Sequence, residues 1–199
     1  MDLQIKNSEI RLAERKDKPT VVKILTEAFR NDPHINWLLE KSRHKKKLDI
    51  IIDYVVEETF DSGTIYVTND NLGAALWQSE KKEKFTFGYV KRNLSFLFKN
   101  GIGSVVRNLD SLKISHSHFP LNQPFCYLYL VGVLPEARGN GLASKLLNPV
   151  LEYCKLNTIP VFLETANPQN VNIYKKKGFE LIDSFKTNST LINFMKIEN

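Results

Sequence analysis

The 199-residue sequence predicts a single mixed α/β domain, and three observations support this class. The C-terminal third alternates strand, helix, strand and helix before two closing strands, the order of a mixed sheet with helices on its faces. Hydrophobic residues make up 42% and charged residues 25% of the chain, a balance typical of globular proteins. The length is sufficient for one domain with a substantial core and short for two. We therefore expect one domain over residues 1–199.

Composition narrows the classes of protein that need to be considered. Lys and Arg number 28 against 22 Asp and Glu, and the net charge of +6 suits an anionic ligand. Basic and aromatic residues are not interleaved as in nucleic-acid-binding modules, so we expect no nucleic acid partner. The polar start and the shortness of the apolar runs predict no secretion signal and no membrane span, hence a cytoplasmic protein. Cys126 and Cys154 lack metal-site or disulfide spacing, which predicts free buried thiols and no metal.

The N-terminal part predicts one strand, three helices and a hairpin. Alternating Ile10 and Leu12 indicate the strand, and Pro19 suits the first turn of the first helix. The Asn31-Asp32-Pro33 sequence ends that helix, and Asn69-Asp70-Asn71 supplies the hairpin turn. The predicted ranges are Ser8–Arg15 for the strand, Val21–Phe29, Ile35–Leu39 and Arg43–Phe60 for the helices, and Gly63–Ser79 for the hairpin. Residues 85–118 are expected to be helical in parts.

The C-terminal part has clearer element boundaries. Asn167 and Pro168 form an N-cap and first-turn pair, and Gly178 is expected to end the helix that follows. Pro149 is expected to kink the preceding helix, because it lacks the N–H that would bond to Lys145. The predicted strands are Phe125–Val133, Ile159–Thr165, Phe179–Phe185 and Ser189–Ile197, with helices from Gly141 and from Pro168 to Lys177.

The segment VGVLPEARGNGLASKLL, residues 131–147, joins a strand to a leucine-rich helix through two glycines. Gly139 and Gly141 allow the backbone to approach a ligand closely, and the helix behind them presents bare N–H groups and a positive dipole end. Arg138 adds a positive charge at the rim. These features predict a phosphate-binding loop.

Two other phosphate-binding loops fit the segment less well. A Walker loop requires a Gly-Lys-Ser/Thr ending, which the sequence lacks. A dinucleotide-binding loop requires a third glycine where Ser144 stands, although Glu164 lies near the place of its ribose-binding acid.

Two motifs together resemble the GNAT N-acetyltransferase superfamily. The loop is similar to its acyl-CoA pyrophosphate motif, V-x-P-x-x-[RQ]-G-x-G-x-[GA]. The segment LETANPQNVNIYKKKGFELI, residues 163–182, looks like the segment that follows in the family, with a tyrosine shortly before Gly-Phe. AFRNDPHINWLL and GAALW resemble, more loosely, the branch that includes puromycin N-acetyltransferase. Phe125 and Cys126 depart from the aromatic pair, such as His-Trp, common in that branch.

The resemblance implies a mostly antiparallel central sheet, flanked by helices, whose central strands splay apart. It implies that acetyl-CoA binds as co-substrate, with its pantetheine arm along the exposed strand edge and its pyrophosphate on the loop. A backbone N–H near Val131 would polarise the thioester carbonyl. The implied cofactor-binding residues are Val131, Gly132, Val133, Arg138, Gly139, Asn140, Gly141, Leu142, Ala143, Asn167, Asn170 and Tyr174.

The resemblance also implies two catalytic residues, because attack by an amine needs a base and the departing thiolate needs an acid. Glu164, at a strand end, would act as the base through water, and Tyr174 would act as the acid. Each residue has a structural alternative: a rim carboxylate for Glu164 and a core tyrosine for Tyr174. His116 and His118 are alternative bases, and Asn167 could be an ordinary helix cap.

The resemblance leaves the amine acceptor open, whether a small molecule or a peptide. Residues 1–120 are expected to determine acceptor specificity and residues 121–199 to bind acetyl-CoA. Strands such as Ser189–Ile197 could pair across a homodimer. The alternative function is a catalytically silent acyl-CoA sensor.

Overall fold

Seven strands form one sheet in the computed structural model, which describes residues 9–39, 46–79, 117–120 and 123–199. The order across the sheet is β1-β2-β3-β4-β5-β7-β6. Neighbouring strands are antiparallel except β4 and β5, which are parallel, so the predicted mostly antiparallel sheet is confirmed. The strands are β1 Ile10–Leu12, β2 Thr64–Thr68, β3 Gly73–Ser79, β4 Cys126–Val133, β5 Val161–Thr165, β6 Glu180–Lys186 and β7 Leu191–Ile197.

Two helix ends have caps that the sequence supplies. The Asp32 carboxylate accepts hydrogen bonds from the backbone N–H groups of His34 and Ile35 at 2.9 and 3.0 Å and so caps the second helix. Gly178 follows the last helix with a φ of +94°, as expected of a residue at the C′ position. The helices of the described chain are α1 Lys18–Phe29, α2 Pro33–Leu39, α3 Lys46–Ser62, α4 Leu142–Leu156 and α5 Pro168–Lys176.

The core lies in two layers, one on each face of the sheet. Strand residues alternate between them: Leu76 joins the cluster under α1 and α3, whereas Ala75 and Trp77 join the cluster under α4. Leu146 and Val150 are the α4 residues at the centre of the second cluster, and neither is exposed to solvent. Helices therefore cover both faces, as the fold class requires.

Some predicted boundaries were wrong or fall outside the described residues. The first strand is shorter than Ser8–Arg15, because the Asp17 carboxylate accepts the Glu14 N–H and pairs with Arg11 in a turn that begins directly after the strand. Helix α4 continues through Pro149, and the kink expected there stays a prediction. The expected helices within residues 85–116, and the start at Arg43 of the third helix, lie outside the described residues.

The described residues contain no helix that is long and apolar enough to cross a bilayer. Cys126 and Cys154 are both buried and free, as their spacing predicted.

Candidate functional site

Strands β4 and β5 pair over a short distance and then diverge. The parallel ladder joins residues 126–128 of β4 to residues 161–163 of β5, whereas the ladder between β4 and β3 continues to Val133. The register shifts where Leu76 and Trp77 face Leu130 and Leu128, which leaves Tyr129 as an extra residue in β4. Such a bulge bends a strand and increases its twist. The end of β4 therefore presents an edge that pairs with no strand of the described chain on its β5 side, and the predicted splay is confirmed.

The backbone groups on this edge follow from the alternation along the strand. The Leu134 N–H donates to the Leu72 carbonyl at 2.9 Å, toward the β3 side. Because polar groups of successive residues in a strand point to opposite sides, the N–H and C=O of Val131 and Val133 face the diverging side. The N–H and C=O groups of Gly132 face β3 instead.

Gly132 has a packing role that the sequence did not reveal. A β-carbon at this position would lie 2.7 Å from the β-carbon of Ala28 and 3.0 Å from a methyl group of Leu25, both on α1. Real β-carbons do not approach other atoms so closely, so Gly132 allows α1 to lie against β4.

The loop after β4 adopts the backbone geometry that its glycines predicted. Gly139 and Gly141 have φ angles of +84° and +75°, and α4 begins at the next residue, Leu142. The N–H groups of residues 142–144 open α4, so the helix has no carbonyl one turn earlier for them to bond to. These bare donors lie in an exposed loop at the positive end of a helix, an arrangement that attracts anions.

Arg138 is held at the rim of this loop by α1. Its Nη2 donates to the backbone carbonyl of Ala28 at 3.1 Å, in the last turn of the helix. The guanidinium thus lies at the negative end of the α1 dipole, which stabilises its position. The predicted positive charge is present beside the loop and is anchored.

A cavity opens where β4 and β5 diverge, and it brings together four of the sequence-predicted residues. Val131, Glu164, Asn170 and Tyr174 all line it. Asn170 and Tyr174 lie one turn apart on α5, so they share a face of the helix as the sequence analysis expected.

The remaining predicted residues lie elsewhere. The loop residues from Arg138 to Ala143 are not among those that line the cavity. The Asn167 side chain accepts the Gln169 N–H at 3.0 Å and caps α5, which is the structural alternative considered for it.

Glu164 is half-buried at the end of β5 and has a partner that the sequence did not predict. The Tyr127 hydroxyl donates a hydrogen bond to Glu164 Oε1 at 3.0 Å. Tyr127 itself is buried, and burial, followed by the charge of Glu164, raises its pKa well above the usual range. The phenol therefore remains a hydrogen-bond donor to the carboxylate at neutral pH.

Tyr174 is protonated at neutral pH for a similar reason. Its side chain is 7% exposed, and its ring contacts Phe179 edge-on with centroids 5.6 Å apart. Burial raises the pKa of the phenol well above its ordinary value, and the negative charge of Asp32 raises it further. A neutral phenol in the cavity can donate a proton, as the acid role requires.

Among the described residues that line the cavity, His34 is a histidine that was not predicted from the sequence. It lines the cavity with Asp32, and its ring lies 5.8 Å from that of Trp37. Desolvation lowers the pKa of His34 to about 4, so the imidazole is neutral at physiological pH. In the sequence, Asp32 indicates only a helix break, and His34 lies in a segment that contributes only to a resemblance.

Of the two predicted alternative bases, the described one, His118, does not line this cavity. The Nε2 of His118 lies 2.8 Å from Asp183 Oδ2, and its ring stacks on Phe194 with centroids 4.6 Å apart, outside the cavity lining. His116 lies outside the described residues.

Comparison with protein families identifies the chain. Residues 77–179 match the model of the Acetyltransferase (GNAT) family. An uncharacterised N-acetyltransferase of Schizosaccharomyces pombe is 24% identical over 183 residues, which cover 83% of this chain and 72% of the yeast protein.

Solved structures share the fold over nearly the whole chain. A Corynebacterium glutamicum protein described as histone acetyltransferase HPA2 and related acetyltransferase superposes with a TM-score of 0.70 and 22% identity, covering 96% of both chains. Arylalkylamine N-acetyltransferase 2 of Aedes aegypti gives a TM-score of 0.69 at 14% identity, covering 96% of this chain and 99% of the mosquito chain. The splayed sheet, the glycine loop and the family match over residues 77–179 lead to one conclusion: the chain belongs to the GNAT acetyltransferase family.

Proposed function

We propose that the protein moves an acetyl group from acetyl-CoA to a primary amine by direct attack of the amine. One observation carries the proposal: Glu164 and Tyr174, a carboxylate and a protonated phenol, line one cavity with the open edge of β4. Direct transfer requires both a proton acceptor and a proton donor beside the reacting atoms.

The residues near this edge fit acetyl-CoA, which supplies an acetyl thioester when bound. The N–H groups of residues 139–143 have the geometry to hold the pyrophosphate, with Arg138 and Asn140 at the rim. The backbone groups of Val131 and Val133 match an extended pantetheine arm, and Asn170 can reach it from α5. Gly132 lies between Val131 and Val133 on the strand edge, and Leu142 is one of the loop residues whose N–H groups would hold the pyrophosphate. Asn167 can contribute its amide N–H₂ group, because only its oxygen is used by the cap.

Glu164 and Tyr174 are proposed to divide the proton transfers. The Glu164 carboxylate takes a proton from the attacking amine, directly or through a water molecule. The Tyr174 hydroxyl gives a proton to the departing sulfur, so the leaving group departs as a thiol.

Replacing Tyr127 with phenylalanine tests the base. Removing a hydrogen bond to the carboxylate disfavours its charged form, so the pKa of Glu164 should rise. The acidic limb of the kcat/KM pH profile is expected to move up by about one pH unit, since such a hydrogen bond contributes about 1–1.5 kcal/mol. The control is Tyr153→Phe, which removes a hydroxyl on α4 outside the cavity lining. An acidic limb that stays in place in Tyr127→Phe would argue against Glu164 as the base.

The identity of the acceptor, the division of the chain into two functional parts and the oligomeric state are further proposals. A small-molecule amine is supported by the similarity in fold to an enzyme named for arylalkylamines. We assign acceptor specificity to residues 1–120 and acetyl-CoA binding to residues 121–199. Membership of the branch that includes puromycin N-acetyltransferase, a homodimer and a cytoplasmic location are supported by the sequence alone.

The experiment that tests the function combines binding with turnover. Calorimetry of the purified protein with acetyl-CoA should give a dissociation constant in the micromolar to low millimolar range. Thiol release, with mass spectrometry of the product, should then detect acetylation within a panel of primary amines. Absence of acetyl-CoA binding would overturn the proposal. Binding without release of thiol to any amine would favour the silent sensor.

A further inference from the structure

A buried asparagine on β7 reaches the end of the strand that carries Glu164. Asn193 is 8% exposed, and it stands opposite Thr165 in the register between β7 and β5. Burying an amide is costly unless the amide is hydrogen-bonded. The partners of Asn193 therefore indicate what a polar side chain does at this position.

Both ends of the Asn193 side chain are hydrogen-bonded. Its Nδ2 donates to the backbone carbonyl of Thr165 at 3.2 Å, and its Oδ1 accepts the hydroxyl of Ser184 at 3.0 Å. The orientation of the amide follows from its partners, because a carbonyl only accepts and must face the N–H₂ group. The asparagine thus links β6, at the edge of the sheet, to the last residue of β5.

The hydrogen bonds continue from Thr165 into α5. The Thr165 hydroxyl oxygen accepts the Asn167 N–H at 3.3 Å, and the Asn167 side chain accepts the Gln169 N–H at 3.0 Å as the cap of the helix. Only two residues separate β5 from α5. A continuous series of hydrogen bonds therefore runs from β6 through Asn193 to the first turn of the helix that carries Tyr174.

Glu164 and Tyr174 approach the cavity from opposite faces of the sheet. Leu163 packs in the cluster that contains Tyr174, whereas Phe162 packs in the cluster that contains Tyr127. Because side chains alternate along a strand, Glu164 shares the face of Phe162, in agreement with its hydrogen bond from Tyr127. The path of the chain from β5 into α5 therefore sets the distance between the proposed base and the proposed acid.

Asn193 lies on the face of the proposed acid. Its neighbours Ile192 and Phe194 pack in the cluster that joins α2, whereas Met195 packs in the cluster that joins α4 and α5. Alternation along β7 therefore directs the Asn193 side chain to the face that α4 and α5 cover. Loss of this side chain would loosen the start of α5, while the backbone ladder with β7 would still hold Glu164 opposite Phe194.

We propose that Asn193 is a positioning residue for the transfer reaction. It fixes the start of α5 and hence the place of Tyr174 relative to Glu164. Asn193 is not among the described residues that line the cavity, so it acts through Thr165 and the helix cap. The inference rests on the proposed function, because it takes these two residues as the groups that transfer protons.

Replacing Asn193 with leucine removes both hydrogen bonds and keeps a side chain of similar shape. With the amine of the panel that is turned over fastest, kcat is expected to fall by about tenfold, since a misplacement of about 1 Å can cost up to about 100-fold. The KM for the amine and the acetyl-CoA dissociation constant should stay within about threefold of wild type, because the change affects the proton transfer and not binding.

Two further variants bracket this change. Thr165→Val interrupts the same series at its next bond and should give the same separation of kcat from KM, so the test does not depend on the folding of one variant. Ser184→Ala is the matched control. It removes a hydrogen bond to the amide but leaves the bond from Asn193 to Thr165, so kcat should remain within about twofold of wild type.

A double-mutant cycle shows whether Asn193 acts through Tyr174. In a Tyr174→Phe background there is no phenol to misplace, so Asn193→Leu should change kcat by less than about twofold. A residue that only stabilises the fold would lower the free energy of unfolding in urea and leave the kcat of the folded protein unchanged. An equal fall in kcat in both backgrounds would overturn the positioning role.

Hydrogen exchange provides a readout that does not need turnover. Asn193→Leu is expected to speed exchange at the amides of Asn167 and Gln169 by at least about fivefold and to leave the middle of α4 unchanged. Faster exchange together with the tenfold loss of kcat is the supporting result. Unchanged exchange there, or an unchanged kcat, would overturn this inference and leave the acetyltransferase proposal standing. A wild-type protein that acetylates no amine would overturn the proposed function, and this inference with it.

Discussion

Replacing Tyr174 with phenylalanine is expected to lower kcat by about 10²- to 10⁴-fold, the range that a positioned general acid contributes. The phenol is buried in the cavity, and its raised pKa keeps it protonated. Phenylalanine retains the ring and hence the edge contact with Phe179, so the fold should be unaffected. Steady-state turnover with a saturating amine measures kcat, and calorimetry measures the acetyl-CoA dissociation constant, which should remain close to wild type.

The matched control for this change is Tyr153→Phe. Tyr153 lies on α4, is half-buried and does not line the cavity, so removing its hydroxyl should leave kcat near the wild-type value. A similar kcat for Tyr174→Phe and wild type would make Tyr174 the core tyrosine of the structural alternative. The proton for the departing sulfur would then come from another group or from solvent.

The local geometry of the proposed cofactor half was predictable because its residues are adjacent in the sequence. Gly139 and Gly141 lie in one short loop before an apolar helix, so their spacing alone indicated left-handed backbone and bare N–H groups. The shared position of Asn170 and Tyr174 was similarly predictable, because a spacing of four residues along a helix brings two side chains to one face. These predictions needed only local geometry, and the backbone angles and the cavity lining agree with them.

The proposed acceptor half was not predictable in the same way, because distant segments form it. Asp32 and His34 reach the cavity because α2 packs against α3 and, through Trp37, against Ala166 directly after β5. No periodicity in the sequence specifies these contacts.

Simple alternation along β4 could not have revealed Tyr127, because the bulge at Tyr129 interrupts it. Leu128 and Val131 pack with the cluster under α4, whereas Tyr129 and Leu130 pack with the cluster under α1 and α3.

The packing role of Gly132 shows a different limit. The sequence motif places this glycine in the strand that precedes the loop, but it does not show what approaches it. The structure shows α1 there, with Ala28 and Leu25 against the position of the absent side chain. A glycine directly before a cofactor motif can therefore serve the packing of the core.

Replacing Gly141 with alanine is expected to weaken acetyl-CoA binding by at least about tenfold, a change of 1.4 kcal/mol or more. A β-carbon at Gly141 would meet no atom within 4 Å, so packing within the protein does not oppose the change. The φ of +75° does oppose it, at about 1–2 kcal/mol for a residue with a side chain. Either the loop leaves this conformation and its N–H groups turn away, or the methyl group lies where the pyrophosphate would bind.

Gly178→Ala separates loss of the anion site from loss of stability. Gly178 has a φ of +94°, follows α5 and is remote in sequence from the loop, and a β-carbon there would make only an ordinary contact with Ile197 at 4.0 Å. Both variants should lower the free energy of unfolding by a similar amount in urea titrations, whereas only Gly141→Ala should lose affinity in calorimetry. Equal affinities for acetyl-CoA in the two variants would mean that the loop is a turn without a ligand. In that case the pyrophosphate must be held elsewhere, and the assignments from Arg138 to Ala143 would fail together, because they depend on the same N–H groups.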